Sequence, residues 1–174
     1  MNTSVQGYDM GQSNISGVPA DSDQYLTFTV GNEEYGVEIM TVREIRQWAQ
    51  STRLPNTPSF MLGVMNLRGA IIPIFDLRAR FSGEKTEADS KNVIIIVALS
   101  TRLIGILVDT VSDIVHASAA EIKAPPSMEL NIDERYVNGL ISLEERMIVL
   151  LDVEHLFDAQ TLKDAVQATT AVNH

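Results

Sequence analysis

The chain has 174 residues, 45% of them hydrophobic, which suffices for one ordinary globular domain or two very small ones sharing a core. It contains no cysteine, which excludes a disulfide framework, a thiolate metal site and a cysteine nucleophile and fits a reducing cytoplasm. A net charge of −10 and a pI near 4.6 repel a phosphate backbone, and no stretch interleaves Lys and Arg with aromatics, so nucleic acid is set aside as a partner.

Residues 1–23 are rich in Ser, Asn, Gly and Asp without periodicity and read as a flexible leader. They lack the basic and apolar regions of a secretory signal, so the mature chain is expected to begin near residue 1. YLTFTVGNEEYGVEI, from Tyr25, gives an apolar strand, a GNEE turn and a second strand from Tyr35, together a hairpin. MTVREIRQW follows as a short helix or a third strand. RLPNTPSF, with Pro55 and Pro58, is a loop. GVMNLRGAIIPIFDL is two strands about an Arg68-Gly69 turn, and Pro73 within the second points to an edge or a bulge. FSGEKTEADSK, residues 81–91, reads as a flexible linker.

After the linker the plan restarts. VIIIVALSTRLIGILV matches the first hairpin at an offset of 69, which pairs Gly36 with Gly105, Val42 with Val111, Glu44 with Asp113 and Ile45 with Ile114. The Pro125-Pro126 loop matches the first proline loop. Beyond it the offset is 76, pairing Gly63 with Gly139, Leu67 with Leu143, Ile72 with Ile148 and Asp76 with Asp152. The seven extra residues fall in the proline loop, where insertion costs least. Two such halves, about 24–83 and 91–158, predict a mainly β fold of two small five-stranded antiparallel barrels fused side by side with a shared core. Barrel closure removes the sheet edges that so short a unit would otherwise expose. The tail, 159–174, is expected to be partly helical. The longest apolar run, VIIIVAL at 93–99, is far short of the ~20 residues that cross a bilayer as a helix, so it reads as a buried strand and no direct membrane insertion is expected.

Catalytic signatures are missing. The histidines at 116, 155 and 174 have neither i, i+4 spacing nor an acidic partner at ligand spacing, so no metal site is assigned. No phosphate-cradling glycine loop or nucleophile elbow is present, and no cofactor is expected. Glu33-Glu34 and Glu144-Glu145 sit in turns and read as solvated turn residues. Asp76 and Asp152 recur before LRARF and VEHLF, which makes them helix N-caps in preference to catalytic acids. Trp48 either faces a partner or covers a barrel end.

The repeat is its own control. Positions alike in both halves report packing, and Arg68 differs: Glu44 is expected to face Arg68, whereas the equivalents Asp113 and Glu144 are two acids that do not pair with each other. Residues 24–83 carry six basic and five acidic side chains, against five and eleven in 91–158, so the two barrels are expected to meet different partners.

The segments FTVGNEEYGVEIMTVREIR, GVMNLRGAIIPIFDLR and GILVDTVSDI, in this order, closely resemble the CheW family of bacterial chemotaxis coupling proteins across about residues 24–158. Departures are the long leader, Trp48 and Phe75. The resemblance implies two packed barrels of the Src-homology-3 type without catalytic activity. It also implies an adaptor, cytoplasmic and recruited to membrane-associated receptor arrays, that joins the regulatory domain of the histidine kinase CheA to the cytoplasmic tips of transmembrane chemoreceptors. The family's receptor-contacting groove carries over to Val42, Glu44, Gly63, Asn66, Arg68, Val111 and Ile114. The resemblance assigns no residue here to the kinase contact. A competing reading is a small-molecule-sensing module that holds its ligand in the inter-barrel groove near Trp48.

Overall fold

The computed structural model describes residues 22–53, 55–100, 102–125, 132–157 and residue 163. The expected leader, apart from its last two residues, and the expected helical tail, apart from Lys163, lie outside the described residues.

Among the described residues eleven strands form two sheets. In chain order they are β1 (Ser22–Val30), β2 (Glu33–Glu38), β3 (Val42–Gln47), β4 (Met61–Leu67), β5 (Ala70–Asp76), β6 (Val93–Ala98), β7 (Leu103–Val108), β8 (Thr110–Ser118), β9 (Ile122–Lys123), β10 (Val137–Leu143) and β11 (Arg146–Leu151). Helix α1 (Leu77–Ser82) follows β5 and α2 (Val153–Leu156) follows β11, as the duplication requires. Asp76 and Asp152 cap them, accepting from the Ala79 and His155 backbone N–H groups. MTVREIRQW resolves both expectations for it: a 3-10 turn, Ile39–Thr41, then β3.

The strands are not shared out as residues 24–83 and 91–158. One sheet has the order β8-β1-β2-β11-β10-β9 and the other β3-β6-β7-β5-β4. Each barrel therefore combines the hairpin of one repeat with the later strands of the other. Each otherwise antiparallel sheet joins the repeats twice, by an antiparallel pairing, β1 with β8 or β3 with β6, and by a parallel one, β2 with β11 through Tyr35↔Val149 or β7 with β5 through Phe75↔Ile106. The repeat's shared glycines mark the parallel joints: a Cβ on Gly105 would lie 2.6 Å from the Ile74 side chain, and one on Gly36 3.0 Å from Leu150. The exchange has a simple physical cause. The two hairpins carry the same apolar pattern, so either fits either barrel, and swapping them ties the repeats into one body.

The shared core is where the exchange is stabilised. Along β6, Ile95 and Val97 face a cluster that also holds Leu26, Phe28, Val37, Phe75, Val149 and Phe157 from both sheets, while Ile94 and Ile96 face a second cluster inside their own barrel. Both faces of the strand are covered, which explains the unbroken run VIIIVAL. The other barrel's interior holds Tyr25, Val115, Ala117, Ile141, Ile148 and Leu150. Phe75 stacks on Phe157 at 4.8 Å between centroids, and the Arg80 guanidinium lies 4.9 Å over the Phe60 ring and 5.0 Å over that of Tyr136 while donating to the Leu156 carbonyl.

Pro73 is in an interior strand, not an edge. It is tolerated because β5 pairs with β7 only from Ile74 onward, so no ladder bond is lost on that side. The linker is held down as well: buried Asp76 accepts from the Thr86 backbone N–H at 2.6 Å and from its hydroxyl at 2.8 Å.

Candidate functional site

The first site residues lie where the edges of the β3-to-β4 sheet approach each other. β3 is one edge and β4 leads into the Arg68-Gly69 turn at the other, and the Arg68 Nη2 meets the Glu44 Oε2 at 2.7 Å. The turn is built for this. Arg68 and Gly69 both have positive φ, 52° and 92°, the pattern of a two-residue type I′ hairpin, and the Asn66 Oδ1 accepts from the Gly69 backbone N–H at 2.9 Å. The expected pairing of Glu44 with Arg68 is therefore present, and Asn66 shapes the turn that presents the arginine.

Sequence reasoning missed Arg46. Its Nη1 lies 2.9 Å from the Glu44 Oε1, so one carboxylate is shared by two guanidinium groups. The signal was available, because positions 44 and 46 fall on the same face of a strand. The Arg68 hydrogen bond is the largest of the influences that hold the Glu44 carboxyl below its usual range. Arg68 keeps 72% of its side chain exposed, with donors left over for another molecule.

The second repeat keeps the acid and relocates its arginine. Asp113 on β8 accepts from Arg146 at 3.0 Å and 3.3 Å, and Arg146 also binds Glu34 through both its Nε and Nη2. Arg146 stands two positions beyond Glu144, the turn residue aligned with Arg68, and opens β11 opposite Leu143. The fully buried Thr27 completes the network, its hydroxyl donating to the Asp113 Oδ1 at 2.6 Å. Hydrogen bonds from Arg146 first, then Thr27, lower the Asp113 pKa, and those from Glu34 and Asp113 raise that of Arg146. Four of the five N–H donors of this guanidinium are engaged, and its side chain is only 38% exposed.

Val42 and Val111 both pack, half-buried, against the shared core, which puts them at the seam between the barrels. Their partners are equivalent in the repeat, Val97 on β6 and Phe28 on β1. The register of each pairing shifts just beyond them, between Val42 and Glu44 on β3 and between Leu26 and Phe28 opposite β8. Ile114 follows on the surface at 47% exposure, and Ile45, its counterpart, stands at 46%. Gly63 is different: it is buried at a bulge in β4 with φ 149°, and a Cβ there would lie 2.2 Å from the Thr52 carbonyl oxygen. Gly139 holds the equivalent bulge in β10. Gly63 thus secures the strand behind the site and presents no surface of its own.

The hairpin exchange sharpens the charge asymmetry. The barrel of β3–β7, residues 39–83 and 91–108, carries eight basic and two acidic side chains, whereas the barrel of 24–38 and 109–157 carries three basic and thirteen acidic ones. One barrel is basic and the other strongly acidic, and the seam of Val42 and Val111 runs between them.

Trp48 lies elsewhere. It packs against the interior cluster of the basic barrel and lines a recess of about 410 Å³ with Gln50, Ser51, Arg53, Leu62, Thr86, Glu87 and Ala88, every one from that barrel or the linker. A recess of about 240 Å³ does lie between the barrels, beside Gly31, Tyr35, Arg78 and Phe81, where burial raises the Tyr35 pKa and the Arg78 Nη2 donates to both carboxylate oxygens of Asp109. Neither recess is lined by the seam residues. Among the described residues no group of three or more His, Asp or Glu is placed to hold a metal, and no helix is long and apolar enough to cross a membrane.

The family model for the CheW-like domain matches residues 24–161. The chain is 42% identical over 139 residues to the chemotaxis protein CheW of Klebsiella aerogenes, covering 80% of this chain and 84% of that protein. It is 38% identical over 137 residues to the chemotaxis protein CheW of Rhizobium meliloti, covering 79% and 88%. Its fold is similar to the crystal structure of the scaffolding protein TtCheW from Thermoanaerobacter tengcongensis, with a TM-score of 0.74 and 31% identity over 84% of this chain and 94% of that one. That likeness agrees with two fused barrels of the Src-homology-3 type. A match that spans both barrels, at this identity and coverage, identifies the chain as a member of the CheW-like domain family.

Proposed function

We propose that the chain is a non-enzymatic chemotaxis scaffold that works in the cytoplasm, coupling the signalling tips of chemoreceptors to the histidine kinase CheA within receptor arrays. Family membership and the names of its relatives support the scaffold reading. The coupling reading rests chiefly on one observation: Arg68, unlike its counterpart Arg146, which is divided between two carboxylates, is held by a single oxygen of Glu44 and stays open to solvent at the end of an apolar seam. A receptor helix laid along that seam buries its apolar face on Val42, Val111 and Ile114 and takes its register from Asn66 and Arg68 at the rim. Gly63 serves the same surface indirectly, by allowing β4 its bulge. The kinase's regulatory domain engages other faces of the barrels, leaving the seam free for the receptor.

The test is Arg68→Glu. Co-sedimentation with receptor-containing membranes is expected to be lost, while the urea midpoint and the binding of CheA stay near wild-type values. Receptor binding that survives unchanged places the receptor contact elsewhere.

A further inference from the structure

The seam ends on two rims that the duplication makes equivalent in shape and opposite in charge. On the β3 rim, Ile45 lies between Glu44 and Arg46, with Arg43 two residues before it, and the turn brings in Arg68. Among the described residues one carboxylate, Glu44, pairs with both Arg46 and Arg68, and Arg43 donates to a neutral carbonyl, that of Met40 at 2.7 Å. On the β8 rim, Ile114 has nearly the same exposure as Ile45 and likewise follows a carboxylate, Asp113, but Ser112 and Val115 stand where β3 has Arg43 and Arg46. The Asp113–Arg146 contact brings the β10–β11 turn, with Glu144 and Glu145 both exposed, against that strand. The lone arginine here is already held by Glu34 and Asp113. An excess of positive charge surrounds one isoleucine and an excess of negative charge surrounds the other.

We propose that these two rims fix the direction in which a partner helix lies along the seam. The helix sets acidic side chains over Arg43, Arg46 and Arg68, sets basic ones over Asp113, Glu144 and Glu145, and covers Ile45 and Ile114 with its apolar stripe. The inference rests on the proposed receptor contact and adds the chemistry of the partner: an amphipathic helix whose charges segregate along its length. Its physical basis is that opposed charges across an interface favour one docking direction and penalise the reverse, where like charges meet. The isoleucines, being alike, contribute affinity without direction.

The experiment uses the full chain, the isolated cytoplasmic fragment of a cognate chemoreceptor, and three variants. One is Arg43→Glu with Arg46→Glu, the second is Glu144→Lys with Glu145→Lys, and the third carries all four substitutions. The first two change the net charge in opposite directions and the third restores it. Each double variant is expected to weaken the fragment's binding about tenfold or more at low salt, an effect that shrinks as salt rises. The quadruple variant, with the charge of both rims reversed, is expected to recover affinity by taking the helix in the opposite direction, read as a nitroxide at one end of the fragment's helix broadening the amides of the other rim. Urea midpoints near wild type show that all three fold. If the quadruple variant recovers affinity with the helix direction unchanged, net charge alone matters and the directional reading is overturned, as it is if the quadruple binds more weakly than either double. Doubles that bind normally overturn it too, as do doubles that alter only sedimentation of the chain with itself, which would assign the rims to contacts between copies. A wild-type chain that fails to bind the fragment instead removes the receptor reading on which the inference stands.

Discussion

At equivalent positions of the duplication, Glu44 and Asp113 are edge-strand carboxylates, and each meets an arginine brought by a hairpin turn. The two sites diverge in what that arginine has left to give. Arg146 is divided between two carboxylates, one of them hydrogen-bonded to buried Thr27, and it locks three strands of the acidic barrel together. Arg68 shares its carboxylate with Arg46 and projects into solvent. Duplication supplied one geometry twice; in one copy it serves cohesion, and in the other the charge is left over for a partner.

The comparison is tested first at the glycines behind it. Gly63→Ala puts a methyl group against a backbone carbonyl at a positive φ, and Gly139→Ala puts one against the Ile122 side chain at 2.4 Å. We expect the first to cost roughly 3 kcal/mol and the second about half as much, because a side chain yields where a carbonyl in a strand pair does not. Urea denaturation of the two variants measures the difference; equal losses would show that the first-repeat bulge is no more constrained than the second.

The arginines should separate next. Arg146→Ala leaves Asp113 and Glu34 facing each other and is expected to cost about 1 kcal/mol once solvent screening is allowed for, whereas Arg68→Ala leaves the urea midpoint unmoved. Should Arg68→Ala destabilise the fold as much as Arg146→Ala, the division between cohesion and availability fails.

The smallest effect is in pH. Asp113 has a folded pKa below its ordinary 3.8, so its contribution to stability is complete well above that value and is lost as pH falls through the lowered one. The wild type's advantage over Asp113→Asn, measured in urea, is therefore expected in full at roughly pH 6 and to shrink below pH 3.8. Glu44→Gln should show a weaker dependence, since its two arginine partners, 42% and 72% exposed, are screened by solvent.

Much of this was legible in the sequence. Apolar alternation and the two offsets located the strands, the caps at Asp76 and Asp152, and the pairing of Glu44 with Arg68. The hairpin exchange was not legible, because YLTFTV and VIIIVA satisfy the same burial pattern and nothing local says which barrel each will join. For that reason the charges, counted by halves, understated the contrast between the barrels. Arg146 was overlooked because position-by-position comparison set Arg68 against Glu144, while the first strand residue after the turn supplies the charge instead. Gly63 was carried over from family resemblance as a contact residue, and its shared counterpart Gly139 already marked it as a packing position.

The central claim, that the seam between the barrels is where the receptor docks, is tested most directly by amide chemical-shift mapping of the full chain titrated with a receptor cytoplasmic fragment. Shifts concentrated on Val42–Arg46, the Asn66–Gly69 turn and Val111–Ile114, with the Arg146 network quiet, are the predicted result. Shifts centred on the Trp48 recess, with Val42, Arg68 and Val111 unmoved, would contradict it.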